Sequence, residues 1–110
     1  MTPEKRVQNK IINYLKELKE KGELIFFERR QAGGFSYKKG IPDLYMVYEG
    51  LHIEIEVKKE KNGELSTMQE KFRDMCIKNK IEYICANNFN DFKDYLYYIK
   101  EVKLCRKNIK

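Results

Sequence analysis

Apolar and polar positions alternate with two different periods along this chain, and the changes of period mark its elements. Val7, Ile11, Tyr14, Leu15 and Leu18 recur at helical spacing. Thr2 can cap that helix, Pro3 suits its first position, and Gly22 ends it. From Leu24 to Arg30 the pattern shortens to a strand period around Ile25, Phe26 and Phe27. Gly40 to Lys58 holds two half-apolar runs separated by Glu49-Gly50, a hairpin signal. Helical spacing returns after Ser66 with Met68, Phe72, Met75 and Cys76, predicting a second buried stripe. Ile81 to Ala86 is a short apolar strand, and a strand-helix-strand succession predicts a crossover with parallel pairing. Asn88 can cap a last helix built on Phe92, Tyr95, Leu96 and Ile99. Tyr97 and Tyr98 suit packing or an interface better than ligation, and Lys100 to Lys110 is a basic tail expected to fray. The order α-β-β-β-α-β-α predicts an α/β fold with a mixed β-sheet flanked by helices.

The hairpin concentrates the chemistry. With Glu49 and Gly50 as the two turn residues, Tyr48 faces Leu51 and, in the same register, Asp43 faces Glu56. One side then bears Pro42, Leu44, Met46, Tyr48, Leu51, Ile53, Ile55 and Val57, an apolar set that must be buried. The other bears Ile41, Asp43, Tyr45, Val47, His52, Glu54, Glu56 and Lys58. Like charges opposite each other destabilise a sheet, so two facing carboxylates call for a cation between them. Glu54 lies one pleat further from Lys58, and His52 further still, a poor candidate for a base.

The full sequence has 110 residues, which predicts one domain over 1–110 and a core adequate without staples. A net charge of +6 suits a polyanionic partner. Cys76, Cys85 and Cys105 lack CxxC spacing and His52 is the single histidine, which argues strongly against a zinc site of Cys/His type. Cys76 and Cys85 sit in apolar patterns and are expected in the core, and the odd cysteine count suits a reducing cytoplasm. No signal peptide or membrane-length run is visible, and no organic cofactor is implied. Between the first strand and the hairpin, Arg29, Arg30, Gln31, Lys38 and Lys39 interleave with Phe35 and Tyr37 around Gly33-Gly34. A basic, aromatic loop beside Asp43 is placed to grip phosphates or an unpaired base.

The ordered set Gly40-x-Pro42-Asp43-Leu44, Glu56-x-Lys58 and Leu65-Ser66-x-x-Gln69 resembles the PD-(D/E)XK nuclease signature, and in particular its VRR-NUC branch. The resemblance spans the chain from Pro3 to about Ala86, and the N-terminal helix bearing Glu4 and Gln8 fits it. It implies a restriction-endonuclease-like core. It also implies a site of Asp43, Glu56, Lys58, Gln69 and Glu4, with Asp43, Glu56, the Val57 backbone carbonyl and in some form Glu4 holding Mg²⁺ or Mn²⁺. Hard oxygen donors suit those ions. Two of these residues have a second, local reading. Glu4 is also a favourable charge at a helix N-terminus, and Ser66 with Gln69 also forms a capping box. The activity implied is a metal-dependent DNA endonuclease, structure-specific for branched DNA such as a Holliday junction or a flap, working as a homodimer. A nicking enzyme or exonuclease of the same superfamily, or a catalytically idle DNA-binding module, are the alternatives.

Overall fold

The computed structural model describes residues 2–23, 25–30, 40–58 and 64–104. Helix α1 runs Pro3–Glu20, with the Thr2 hydroxyl accepting the Lys5 amide at 3.2 Å and Gly22 at φ 90° beyond its end. Strand β1 is Ile25–Arg29, β2 Leu44–Tyr48 and β3 Leu51–Val57. Helix α2 is Thr67–Lys78, β4 Glu82–Ala86 and α3 Phe89–Tyr98, which passes into a π-helical turn at Ile99–Leu104. The element order and the mixed sheet are those the pattern predicts. The π-helical turn takes in the start of the basic tail, and residues 105–110 of that tail lie outside the described residues.

The four strands lie in the order β1-β2-β3-β4. β1 and β3 flank β2 antiparallel, and β4 joins β3 in parallel, as the crossover through α2 requires. Tyr48 pairs with Leu51 and Leu44 with Ile55, the register expected from a two-residue turn. Glu49 (φ 52°) and Gly50 (φ 84°) are both left-handed, the backbone of a type I′ turn. That turn matches the strand twist and so fixes which residues share a face.

One face is the core. Leu44, Met46, Tyr48, Ile53, Ile55, Val57, Ile84 and Ala86 are buried there against Ile11, Leu15 and Leu18 of α1 and Phe92 and Leu96 of α3. The Tyr48 hydroxyl hydrogen-bonds to Glu23, whose other oxygen takes Lys100 Nζ at 2.9 Å, tying the end of α1 to the turn after α3. Among the described residues the other face is only partly covered. α2 lies over β4, with Phe72 against Tyr83 at 6.4 Å between ring centroids. The expected buried stripe of α2 is therefore corrected. Cys76 is fully buried and Phe72 half-buried, while Met68 and Met75 are 47% and 41% exposed. A helix that rests on an edge strand buries a narrower strip than one that spans a sheet. For the same reason Cys85, expected in the core, is exposed: its alternate position in β4 points it to the thinly covered face.

Candidate active site

Three segments converge at the end of the sheet where β1 and β3 finish and β2 begins. Pro42 is buried and anchors the chain as it enters β2, leaving Asp43 exposed beside it. Arg30, the first residue past β1, donates its amide to the Asp43 carbonyl at 2.6 Å, so pairing continues one step beyond the ladder. Lys58 likewise extends β3, donating its amide to Ala86 at 3.0 Å. Gly40 at φ 89° lies so close to α2 that an added Cβ would sit 2.5 Å from the Met68 carbonyl oxygen. Only glycine allows that approach, which brings the hairpin and the first turn of α2 together. Gly40→Ala should lower stability by roughly 1–2 kcal/mol, because the substitution meets both a left-handed backbone and a backbone oxygen. A denaturant midpoint equal to the parent's would refute this.

These segments enclose a cleft of about 630 Å³. Glu4, Asp43, Glu56, Val57, Lys58 and Gln69 all line it, together with Lys5, Gln8, Arg29, Arg30 and Gly40. The sequence-derived site residues within the described segments are thus brought to one place. Gln31, Lys38, Lys39, Phe35 and Tyr37 lie outside the described residues.

Glu56 is the most perturbed group in the cleft. Its side chain is buried, the residue being 7% exposed, and its Oε1 has no hydrogen-bond partner. Burial pushes its carboxyl up to about 7; Lys58 pulls it down, while Asp43 and Glu4 add repulsion. A buried carboxylate oxygen without a partner, among two further carboxylates, is the donor set a hard divalent cation satisfies. Among the described residues no group of three or more His, Cys, Asp or Glu side chains closes a metal cage. Mg²⁺ needs no such cage, since it retains waters and takes one or two carboxylates. The residues present fit that ion.

Gln69 uses one side-chain oxygen both in the helix cap and toward Lys58. Its Oε1 accepts the Ser66 amide at 2.8 Å, while its own amide donates to Ser66 Oγ at 3.2 Å, completing the capping box. The same Oε1 accepts Lys58 Nζ at 3.2 Å. The helix cap therefore fixes the amide that holds the lysine in the cleft. Glu4 sits exposed in the first turn of α1, where it complements the helix dipole and lines the cleft.

Arg30 is the residue the sequence places least well. Its guanidinium forks onto Glu54 with bonds of 2.6 and 2.7 Å, and its Nη1 also donates to the Pro42 carbonyl at 2.8 Å. Glu54 also meets His52 Nε2 at 2.6 Å. Burial alone would raise the Glu54 carboxyl, but Arg30 and His52 hold it below the usual range. Arg29, by contrast, is exposed at the cleft. The β1–β2 connection is long, so no turn chemistry reveals the register that sets Arg30 near Glu54.

The fold and cleft define an α/β domain with carboxylates and a lysine gathered at one end of a mixed sheet. Two solved structures share this fold. One, titled "VRR_NUC domain", matches at a TM-score of 0.66 and 22% identity over 93% of this chain and 99% of its own. Another, titled "VRR_NUC domain protein", matches at a TM-score of 0.70 and 24% identity over 94% of this chain and 91% of its own. No family model and no curated protein matches the sequence. The likeness is one of fold, nearly end to end, and it agrees with the resemblance drawn from Asp43, Glu56, Lys58 and Gln69. No helix among the described residues is long and apolar enough to cross a membrane.

Proposed function

We propose that this chain is a Mg²⁺- or Mn²⁺-dependent deoxyribonuclease that hydrolyses phosphodiester bonds in branched DNA. The observation that carries this reading is the buried, unpartnered carboxyl oxygen of Glu56 in a cleft that also holds Asp43 and Lys58. Asp43, Glu56 and the Val57 carbonyl would hold the ion, with Glu4 beside them. When bound, the ion supplies polarisation of a phosphoryl oxygen and a lowered pKa for a neighbouring water.

The chain's own groups do the rest. Lys58, steadied by Gln69, orients the attacking water and offsets the negative charge that builds on the phosphate. The water oxygen gives up a proton to solvent and bonds to phosphorus as the bond to the leaving sugar oxygen breaks, and that leaving oxygen takes up a proton from solvent. Lys5 and Arg29 at the cleft are placed to bind flanking phosphates, and the stretch that bears Gln31, Lys38 and Lys39 follows in the chain. A single cleft per chain would cut a junction symmetrically as a two-fold dimer. Met68 and Met75, seven residues apart on one face of α2 and 47% and 41% exposed, offer apolar surface for such pairing.

The test is a panel of four-way junction, flap, duplex and single-stranded DNA in Mg²⁺, Mn²⁺ or EDTA, beside a mass measurement of the oligomer. Scission of junction or flap DNA with either ion, none in EDTA, and a dimer mass are expected. Binding without scission in every condition would leave a DNA-binding module in place of the nuclease.

A further inference from the structure

Arg30 and Glu54 hold each other in a way that leaves neither suited to grip DNA or a cation. The ladder pairs Arg29 with Leu44, so Arg30 stands next to Asp43 across β1 and β2, and Asp43 next to Glu56 across β2 and β3. The Arg30 side chain does not follow that row. It crosses diagonally to Glu54, 5% exposed, and closes two short bonds of 2.6 and 2.7 Å. The guanidinium carbon lies 4.5 Å from the Tyr45 ring centroid. The His52 ring stacks on Tyr45 at 5.3 Å, so packing and charge both fix this side chain.

We propose that Arg30 and Glu54 are positioning residues that hold the Pro42–Asp43 backbone at a set distance from Glu56. The inference rests on the nuclease reading above. Two bonds reach that backbone from the same residue: the guanidinium takes the Pro42 carbonyl at 2.8 Å and the Arg30 amide takes the Asp43 carbonyl at 2.6 Å. Glu54 lies on β3 two residues before Glu56. The chain of contacts therefore runs from β3, through the guanidinium, to the segment that presents Asp43. A divalent ion held by carboxylates from two strands is sensitive to their separation, and neighbours that orient such ligands govern affinity. Phosphate binding by Arg30 would require breaking a bidentate, charge-matched pair. The same pair removes Glu54 from competition for the ion.

The experiment compares the parent with Arg30→Gln, Glu54→Gln and the double variant, all checked for folding by thermal melt. Mn²⁺ affinity is read by electron paramagnetic resonance on chelator-treated protein, and DNA affinity in EDTA across a salt series. Each single substitution is expected to weaken Mn²⁺ binding tenfold or more. The double variant should be no weaker than the worse single, because both remove one clamp. DNA affinity of the double variant should stay within about twofold, with an unchanged salt slope. Parent-like Mn²⁺ affinity in the folded double variant would overturn the inference. So would a DNA salt slope shallower by about 0.9, the mark of a lost phosphate contact. A parent that binds no Mn²⁺ at all would instead remove the cation site, and the clamp's role with it.

Discussion

The Glu56→Gln protein should fold, bind DNA in EDTA and cut it at least about a thousandfold more slowly than the parent, because the proposed ion, which would activate the water, would lose an anionic ligand. The substitution is nearly isosteric, so the Ile55 and Val57 neighbours keep their packing. Its effect on the metal-free protein has a definite sign. Burial holds the Glu56 carboxyl at about 7, above its ordinary 4.5. The folded state therefore keeps a proton that the unfolded chain releases. Stability from this group is fully present below about 4.5, and it is lost as pH rises through 7. The loss is on the order of 3 kcal/mol. Melts in EDTA between pH 5 and pH 8 should show that decline in the parent and a nearly flat profile in Glu56→Gln. Added Mg²⁺ should restore the parent at pH 8, since a ligand of the folded state stabilises it, and should do little for the variant. A parent profile as flat as the variant's would show that Glu56 ionises as an ordinary surface carboxylate.

Lys58→Met should separate catalysis from ion binding. The methionine keeps the aliphatic stem and removes the ammonium that Gln69 holds at 3.2 Å. Cleavage should fall by about 10²–10⁴-fold, the range associated with a lost proton-transfer or water-orienting group. Mn²⁺ affinity at pH 8 should change little, because two effects oppose. A like charge is removed from beside the cation, while Glu56 loses the cation that favours its ionised form. A lysine that only solvates the end of β3 would leave the cleavage rate untouched, and that result would strip Lys58 of its role.

What could be read from residues alone follows from how locally each feature is encoded. The Glu49-Gly50 turn fixes its own backbone at two left-handed residues and, through it, the whole register from Asp43 to Glu56. Thr2, Ser66 and Asn88 cap their helices through bonds spanning three residues, so they too are visible in short windows. The convergence of Asp43, Glu56, Lys58 and Gln69 on one cleft follows from that register and from the crossover. Features set by distant packing were not legible. Met68, Met75 and Cys85 have the spacing of core residues, yet how much of the second face α2 covers depends on where it docks. Arg30 has the composition of a phosphate ligand, but its partner Glu54 is 24 residues away and reached only through the β1–β2 pairing.

The central claim is that Asp43 and Glu56 hold one divalent cation. Crystals of the protein soaked in Mn²⁺ and measured at a wavelength that gives manganese anomalous scattering test it most directly. The account predicts one strong anomalous peak in the cleft, in contact with both carboxylates and the Val57 carbonyl, and no such peak in crystals of Asp43→Asn. A saturating soak with the cleft open to solvent and no peak between Asp43 and Glu56 would contradict it.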